Sequence, residues 1–165
     1  MTDFDSFYNK IIDNPSSKTE VVINGKEKTV KGMVMLTTKN YPDNQYIKIM
    51  FDDGSFLLTM IQDKEIYYAD KLIGCISSVK DVDIGRLEKI EYEGKVYELG
   101  NRDDYQYVLR RYVGGPNDVE GEASFSDYFP VGGPKEFLSL GWLSETGERA
   151  DINCKIVDVK DIQVK

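Results

Sequence analysis

The sequence predicts a mainly β protein: an antiparallel barrel or sandwich of two similar halves, with an N-terminal α-helix. Three observations lead to this prediction. Short apolar segments recur from about residue 18 to the end of the chain. Asn-Gly, Asp-Gly and Glu-Gly pairs separate several of these segments, and such pairs favour tight hairpin turns. The first residues of the chain instead show apolar side chains at helical spacing.

The predicted helix comprises residues Thr2–Asp13, and Asn14-Pro15 provides its stop signal. Its apolar residues, three or four positions apart, are Phe4, Phe7, Tyr8, Ile11 and Ile12. We expect this apolar face to pack on the sheet. Binding of a partner by the same face is the alternative.

The segment Gln45–Gln62 is the strongest hairpin candidate, because Asp53-Gly54 fits a two-residue loop. Side chains alternate along a strand, so this loop would place six apolar residues on one buried face. The predicted pairs are Phe51 with Phe56, Ile49 with Leu58, and Ile47 with Met60. The opposite face, which includes Lys48, is mixed in character.

The other predicted strands lie on both sides of this hairpin. In chain order they are Glu20–Ile23, Lys28–Leu36, Glu65–Tyr68, Leu87–Tyr92, Lys95–Leu99, Asp104–Tyr112, Glu122–Phe129, Phe137–Leu143, Arg149–Ile156 and Val157–Val164. The turns Asn24-Gly25 and Glu93-Gly94 each connect two of them, and Glu93-Gly94 pairs Ile90 with Tyr97. A change of phase near Lys160-Asp161 indicates a bulge.

A weak internal repeat of about 70 residues predicts the domain organisation. Gly25-Lys26 opens the first copy and Gly94-Lys95 the second, and an apolar hairpin follows in each. We therefore expect a helix in residues 1–15 and a single β-rich domain in residues 18–165. Its halves would span about residues 18–80 and 86–165.

The charge and hydropathy of the chain exclude several classes of protein. A net charge of −8 argues against nucleic acid as a partner, because phosphate binding needs clustered Lys and Arg. No apolar run is long enough for a transmembrane segment, and the acidic N-terminus does not resemble a signal peptide. The expected location is the cytoplasm.

The chain contains no histidine and only two cysteines, Cys75 and Cys154. This composition removes the Ser-His and Cys-His nucleophile systems and the usual zinc sites, so we expect no metal and no cofactor, and an enzyme would have to use carboxylates, Tyr, Lys or Arg. The acidic pairs Asp52-Asp53 and Asp103-Asp104 lack the ligand spacing of a calcium loop and fit turns. A reduced intracellular cysteine pair is expected, and a disulfide stays open.

One predicted strand carries the candidate binding residues. They are the tyrosines and arginines Tyr105, Tyr107, Arg110, Arg111 and Tyr112. Tyr and Arg are enriched at binding hot spots, and the strand is bounded by glycines. We predict that this strand and the loop Val131–Pro134 border a binding surface. The alternative is that the arginines are solvated or form structural ion pairs.

The order of landmarks resembles the bacterial domain-of-unknown-function 4178 family. The similar segments include Phe51–Gly54, Tyr92–Tyr97 and Phe137–Trp142. The chain departs from the family pattern at Tyr46–Ile49, and the N-terminal helix lies outside it. The resemblance implies a β-rich, non-catalytic bacterial protein with an accessory role and a protein partner, related to membrane stress. It provides no catalytic residues.

The leading functional expectation is therefore a non-enzymatic binding or accessory module that acts through a protein partner. A calycin-like small-ligand-binding protein is the alternative, and a histidine-free hydrolase that uses carboxylates is the third. A concave interior lined by Tyr and Arg would favour the ligand, whereas a flat apolar patch would favour the protein partner.

Overall fold

A computed structural model describes residues 3–13, 18–41, 43, 45–111, 118–132, 135–143 and 149–165. For residues 101–111, 118, 119 and 143 it describes the backbone alone. The predicted fold class is confirmed, since 58% of the structure is strand and 12% is helical.

The helix begins at Phe4 and ends at Asp13, with an α-helical turn, α1 (Phe4–Phe7), followed by a π-helical segment, Tyr8–Asp13. The described strands are β1 (Glu20–Ile23), β2 (Lys26–Thr38), β3 (Gln45–Phe51), β4 (Phe56–Met60), β5 (Glu65–Ala69), β6 (Leu72–Gly74), β7 (Lys89–Tyr92), β8 (Lys95–Arg111), β9 (Asp118–Pro130), β10 (Glu136–Leu143), β11 (Asp151–Val157) and β12 (Ile162–Val164).

All the described strand pairs are antiparallel and belong to one sheet with the order β12-β1-β2-β3-β4-β5-β11-β10-β9-β8-β7. β6 pairs with β11, and β8 also pairs with β2 over Gly32–Thr38. Successive pairings therefore lead from β2 through β3, β4, β5, β11, β10, β9 and β8 back to β2, while β12 and β7 are edge strands. The strands of the first predicted half, β1 to β5, lie side by side in this order, and those of the second half follow as β11 to β7, with β12 beside β1. The choice between barrel and sandwich stays a prediction.

The helix packs on one face of the sheet, as its apolar spacing predicts. The Asp3 carboxylate caps it by accepting a hydrogen bond of 2.8 Å from the Ser6 backbone N–H. Phe7 and Ile11 are fully buried against residues of β1 to β5 and β12. The sheet side of this core consists of Val21, Ile23, Val30, Met33, Ile47, Ile49, Phe51, Leu57, Ile66 and Ile162.

The predicted register of the central hairpin is wrong by one residue. Ile49 pairs with Leu57 and Lys48 with Leu58, and the loop contains three residues, Asp52–Gly54. The Phe51 N–H donates to the Ser55 carbonyl at 3.0 Å, and Gly54 has a φ of +84°. A three-residue loop of this kind ends in a left-handed residue, which glycine adopts without strain.

This shift moves the buried side chains of β4 between faces, because neighbouring positions point to opposite sides. Ile47, Ile49 and Phe51 lie on the helix-facing side, as predicted, and Leu57 joins them there. Leu58 belongs instead to a second core with Phe56 and Met60. Lys48 lies on the side of this second core, opposite Leu58.

Two other turns are as predicted, whereas two segments predicted as separate strands form a single strand. Asn24-Gly25 and Glu93-Gly94 have positive φ at both positions, and Ile90 pairs with Tyr97. The segments predicted as Lys95–Leu99 and Asp104–Tyr112 belong to one strand, β8, which continues through a bulge between Leu99 and Asn101. The reason lies at Gly100, where a Cβ would overlap the ring of Phe129, so that this glycine permits close packing rather than a turn.

The phase change near Lys160-Asp161 is a turn of 3₁₀-helix, Val159–Asp161, and not a bulge. The Asp158 carboxylate stabilises this turn by accepting from the Lys160 N–H at 3.0 Å. The cysteines are both free: Cys75 is exposed and Cys154 is buried.

Candidate functional site

The structure places four of the predicted binding residues on β8, between two neighbouring strands. Tyr105 and Tyr107 pair with Thr38 and Leu36 of β2, and Arg110 and Arg111 pair with Met33 and Gly32. On its other side β8 pairs with β9. Tyr112 lies outside the described residues, as does the end of the loop Val131–Pro134. The binding role of this strand stays a prediction.

A different feature is a large concave surface among the described residues. It is a groove of about 470 Å³, lined by residues of β5, β6, β7, β8, β10 and β11 and of three turns. We call it the Glu136 groove. The residues that define its chemistry are Tyr68, Tyr92, Lys95, Tyr97, Glu136 and Asn153.

Strand register assembles one wall of the groove. Glu136 of β10 pairs with Lys155 of β11, and Lys155 pairs with Tyr68 of β5. Directly paired residues of antiparallel strands point to the same face, so these three side chains form a row across the sheet. Tyr97 lies on the other side of Glu136, on β8. The groove is therefore built from residues distant in sequence.

The carboxylate of Glu136 is the most enclosed charged group of the groove, with only 2% of its side chain exposed. Lys95 Nζ contacts Glu136 Oε1 at 2.8 Å, and the Tyr97 hydroxyl donates to Oε2 at 3.5 Å. Asn153 Nδ2 in turn donates to the Tyr97 hydroxyl at 3.4 Å. Four residues from three strands, β8, β10 and β11, thus form one connected polar network.

The electrostatics of the network follow from these contacts. The hydrogen bond and charge of Glu136 raise the pKa of Lys95 above its ordinary value. Burial raises the pKa of Tyr97, and the Glu136 carboxylate raises it further. The groove therefore presents a protonated lysine, a protonated phenol and an amide that are all able to donate hydrogen bonds near neutral pH.

The rim of the groove carries charges of both signs on exposed side chains. Asp70 and Glu93 are acidic, whereas Lys71 and Lys155 are basic. Tyr68 and Tyr92, both half-buried, add aromatic surface between them. This arrangement suits a small ligand with hydrogen-bonding groups and an apolar face, because tyrosine offers both kinds of contact.

One feature of the sequence points to this site. Alternation along β10 places Glu136 on the same face as Leu138 and Leu140, which are fully buried. A glutamate in line with buried leucines is a buried acid, and buried acids need partners. Its partners Lys95 and Tyr97 come from another strand, which the sequence alone does not bring to Glu136.

No group of three or more Asp, Glu or Cys residues in the described ranges is arranged to hold a metal ion. None of the described helices is long and apolar enough to cross a membrane.

Comparisons of the chain with protein-family models, with curated proteins and with solved structures find no match. The resemblance to the domain-of-unknown-function 4178 family therefore stays a prediction, and the site must be interpreted from its own chemistry.

Proposed function

We propose that this protein binds a small polar molecule in the Glu136 groove. The observation that carries the proposal is the enclosed Glu136 carboxylate, linked to Lys95, Tyr97 and Asn153 at the bottom of an open groove. Convergent polar groups in a concave surface are typical of a ligand site. Among the functions expected from the sequence, this is the small-ligand alternative.

The size and composition of the groove define the class of ligand. Its volume of about 470 Å³ lies within the range of roughly 300–1,000 Å³ that is usual for small-molecule pockets. Lys95 and Asn153 donate hydrogen bonds, and tyrosine rings provide faces for stacking. A monosaccharide, an amino acid or a nucleoside has the matching combination of a polar edge and an apolar face.

Saturation-transfer NMR with panels of these three compound classes tests the proposal. A compound that binds should lose about tenfold in affinity in Tyr97→Phe, because the variant lacks one hydroxyl of the network. Glu136→Gln should also weaken binding. Tyr41→Phe is the matched control, since this tyrosine is 63% exposed and lies outside the groove.

Two results would contradict the proposal. One is the absence of saturation transfer from the folded protein to any compound of the three panels. The other is a bound compound whose affinity is the same in the wild type, in Tyr97→Phe and in Glu136→Gln, because such a compound would lie elsewhere.

A second candidate function, contact with a protein partner, rests on an apolar patch beside edge strand β7. Val96, Phe129 and Val131 are 46%, 37% and 58% exposed. The Val131 N–H donates to the Val96 carbonyl at 3.1 Å, which brings the three residues together at the β8–β9 pair. Val96→Lys and Val131→Lys should abolish a specific protein contact without unfolding, as measured by cross-linking and circular dichroism.

A further inference from the structure

The structure contains a second candidate site, on the opposite face of the central hairpin from the helix. Lys48 of β3 is only 8% exposed and lines a small cavity of about 30 Å³. The walls of the cavity are mainly apolar, and the side chains of Tyr46, Asp127 and Ser139 also contribute to them. The lining residues that matter here are Leu58, Met60, Phe125, Ile152, Asp127 and Ser139.

The surroundings of the Lys48 amine are unusual for a buried lysine. Its Nζ lies 5.6 Å from the ring centre of Phe56 and 5.3 Å from that of Phe125. Within the described part of the chain, no carboxylate oxygen comes within 4.0 Å of this nitrogen. The ionisable groups that act on it from a greater distance are Asp127 of β9 and Cys154 of β11.

Burial in this position destabilises the charged form of the amine. Moving an ammonium group out of water costs several kcal/mol unless a carboxylate pairs with it closely. Burial accordingly lowers the pKa of Lys48, and the influence of Cys154 and Asp127 in the other direction does not restore it. An uncharged lysine carries a free lone pair and is a nucleophile.

We propose that Lys48 is the nucleophile of an internal site for small carbonyl compounds, which it binds covalently as an imine. The cavity volume of about 30 Å³ is that of one water molecule, which limits the bound carbon skeleton to about one or two atoms. Apolar walls disfavour water, which would otherwise hydrolyse the product.

The chemistry needs no further reactant. The Lys48 lone pair forms a bond to the carbonyl carbon of an aldehyde, and one amine proton moves to the carbonyl oxygen to give a carbinolamine. Loss of that oxygen as water, with the second amine proton, leaves the carbon–nitrogen double bond. Asp127 and Ser139 line the same cavity and provide oxygen atoms that can relay these protons.

Reductive trapping in the folded wild-type protein tests the inference. The protein is incubated at neutral pH with acetaldehyde and sodium cyanoborohydride, and ethylation of each lysine is measured by peptide mass spectrometry. Lys89 is the internal control, because it also lies on a strand but its side chain is 65% exposed. We expect Lys48 to be ethylated at least about tenfold faster than Lys89.

The same experiment with benzaldehyde distinguishes a cavity of limited size from a lysine that reacts with any aldehyde. This larger aldehyde should label Lys89 and leave Lys48 unlabelled, since its ring exceeds the cavity. Lys48→Arg should lose the fast acetaldehyde reaction and keep the labelling of Lys89. The inference is overturned if Lys48 reacts only after denaturation, if it reacts no faster than Lys89, or if both aldehydes label it equally.

Discussion

Lys28 and Lys48 have the same degree of enclosure but differ in what surrounds the amine. They are 4% and 8% exposed, and each amine lies near two aromatic rings. For Lys28 the rings are those of Phe51 at 6.0 Å and Tyr68 at 5.3 Å; for Lys48 they are those of Phe56 at 5.6 Å and Phe125 at 5.3 Å.

The pKa values of the two lysines nevertheless shift in opposite directions. Burial alone would lower the pKa of Lys28, but hydrogen bonds and charge from Asp53 and Tyr68 outweigh it and raise that pKa. Ser55 Oγ also lies 3.0 Å from the amine. The pKa of Lys48 is lowered by burial. The hydrogen bonds and charge beside Lys28 thus outweigh the effect of burial, whereas the groups near Lys48 do not.

Among the described residues, strand register explains why Lys28 has a nearby carboxylate and Lys48 does not. Asp53 lies in the three-residue loop of the central hairpin, within reach of Lys28. Lys48 lies in mid-strand and pairs with Val34 on one side and Leu58 on the other. Its cross-strand neighbours are thus apolar. Substitutions of the rings, of the lysines and of the carboxylate each test this difference between Lys28 and Lys48.

The largest expected effect comes from the ring beside Lys28. Phe51 is 1% exposed and belongs to the core under the helix. Phe51→Ala should lower the free energy of unfolding by roughly 3–5 kcal/mol, because it leaves a cavity in that core. Phe56→Ala, beside Lys48, is the matched variant and should lose clearly less, since its ring is only half-buried. Urea denaturation measures the free energy of unfolding of both variants. Equal losses would contradict the expected difference between the two rings.

Replacing Lys48 should increase the free energy of unfolding instead of lowering it. Lys48→Met should raise the free energy of unfolding by about 1–3 kcal/mol at neutral pH, because an unpaired buried amine is removed. Since the folded pKa is lowered, the unfolded chain binds more protons below the ordinary value of 10.5, and wild-type stability rises with pH towards it. The difference between variant and wild type should therefore shrink in alkaline solution. A constant or growing difference between pH 7 and pH 10 would show that Lys48 stays charged.

Lys28→Met should destabilise the protein by about 1–2 kcal/mol, because the Asp53 carboxylate and the buried Ser55 hydroxyl lose a donor. Thermal unfolding of Lys28→Met and Lys48→Met under identical conditions gives the direct comparison. Shifts of the same sign in the two variants would mean that the carboxylate is not what distinguishes the lysines.

The smallest expected effect is the loss of stability at acidic pH. Burial would raise the pKa of Asp53, but hydrogen bonds from Lys28 and Ser55 and the lysine charge lower it from 3.8 to about 2. This group therefore adds stability above pH 3.8, and the contribution is lost as the pH falls towards 2. It should amount to less than about 1 kcal/mol, because the side chain is 46% exposed. Asp53→Asn should remove this part of the acid transition, which calorimetry between pH 2 and pH 5 detects.

The local features of the fold were predictable from the sequence for local reasons. The helix follows from the spacing of Phe4, Phe7 and Ile11, and its packing follows from the same apolar face. The turns Asn24-Gly25 and Glu93-Gly94 follow from the positive φ that such pairs accept. Each of these choices depends on residues within a few positions of one another.

The central hairpin marks the limit of that reasoning. Asp53-Gly54 predicts a turn at the right place, but the loop has three residues instead of two. Because side chains alternate, this single residue decides whether Leu58 packs under the helix or beside Lys48. The sequence pattern indicated the apolar residues of both β3 and β4, but the predicted register placed those of β4 on the wrong face.

Tertiary structure alone decided both candidate sites. Glu136 meets Lys95 and Tyr97 because β10 and β8 lie on either side of β9, and Lys48 becomes enclosed because β9 and β11 complete the cavity around it. Backbone preferences and turn chemistry act between near neighbours, whereas the pairing of distant strands is selected by the burial of the whole apolar surface. The sequence therefore determined the strands and most of their turns, and only their packing determined which charged groups face one another.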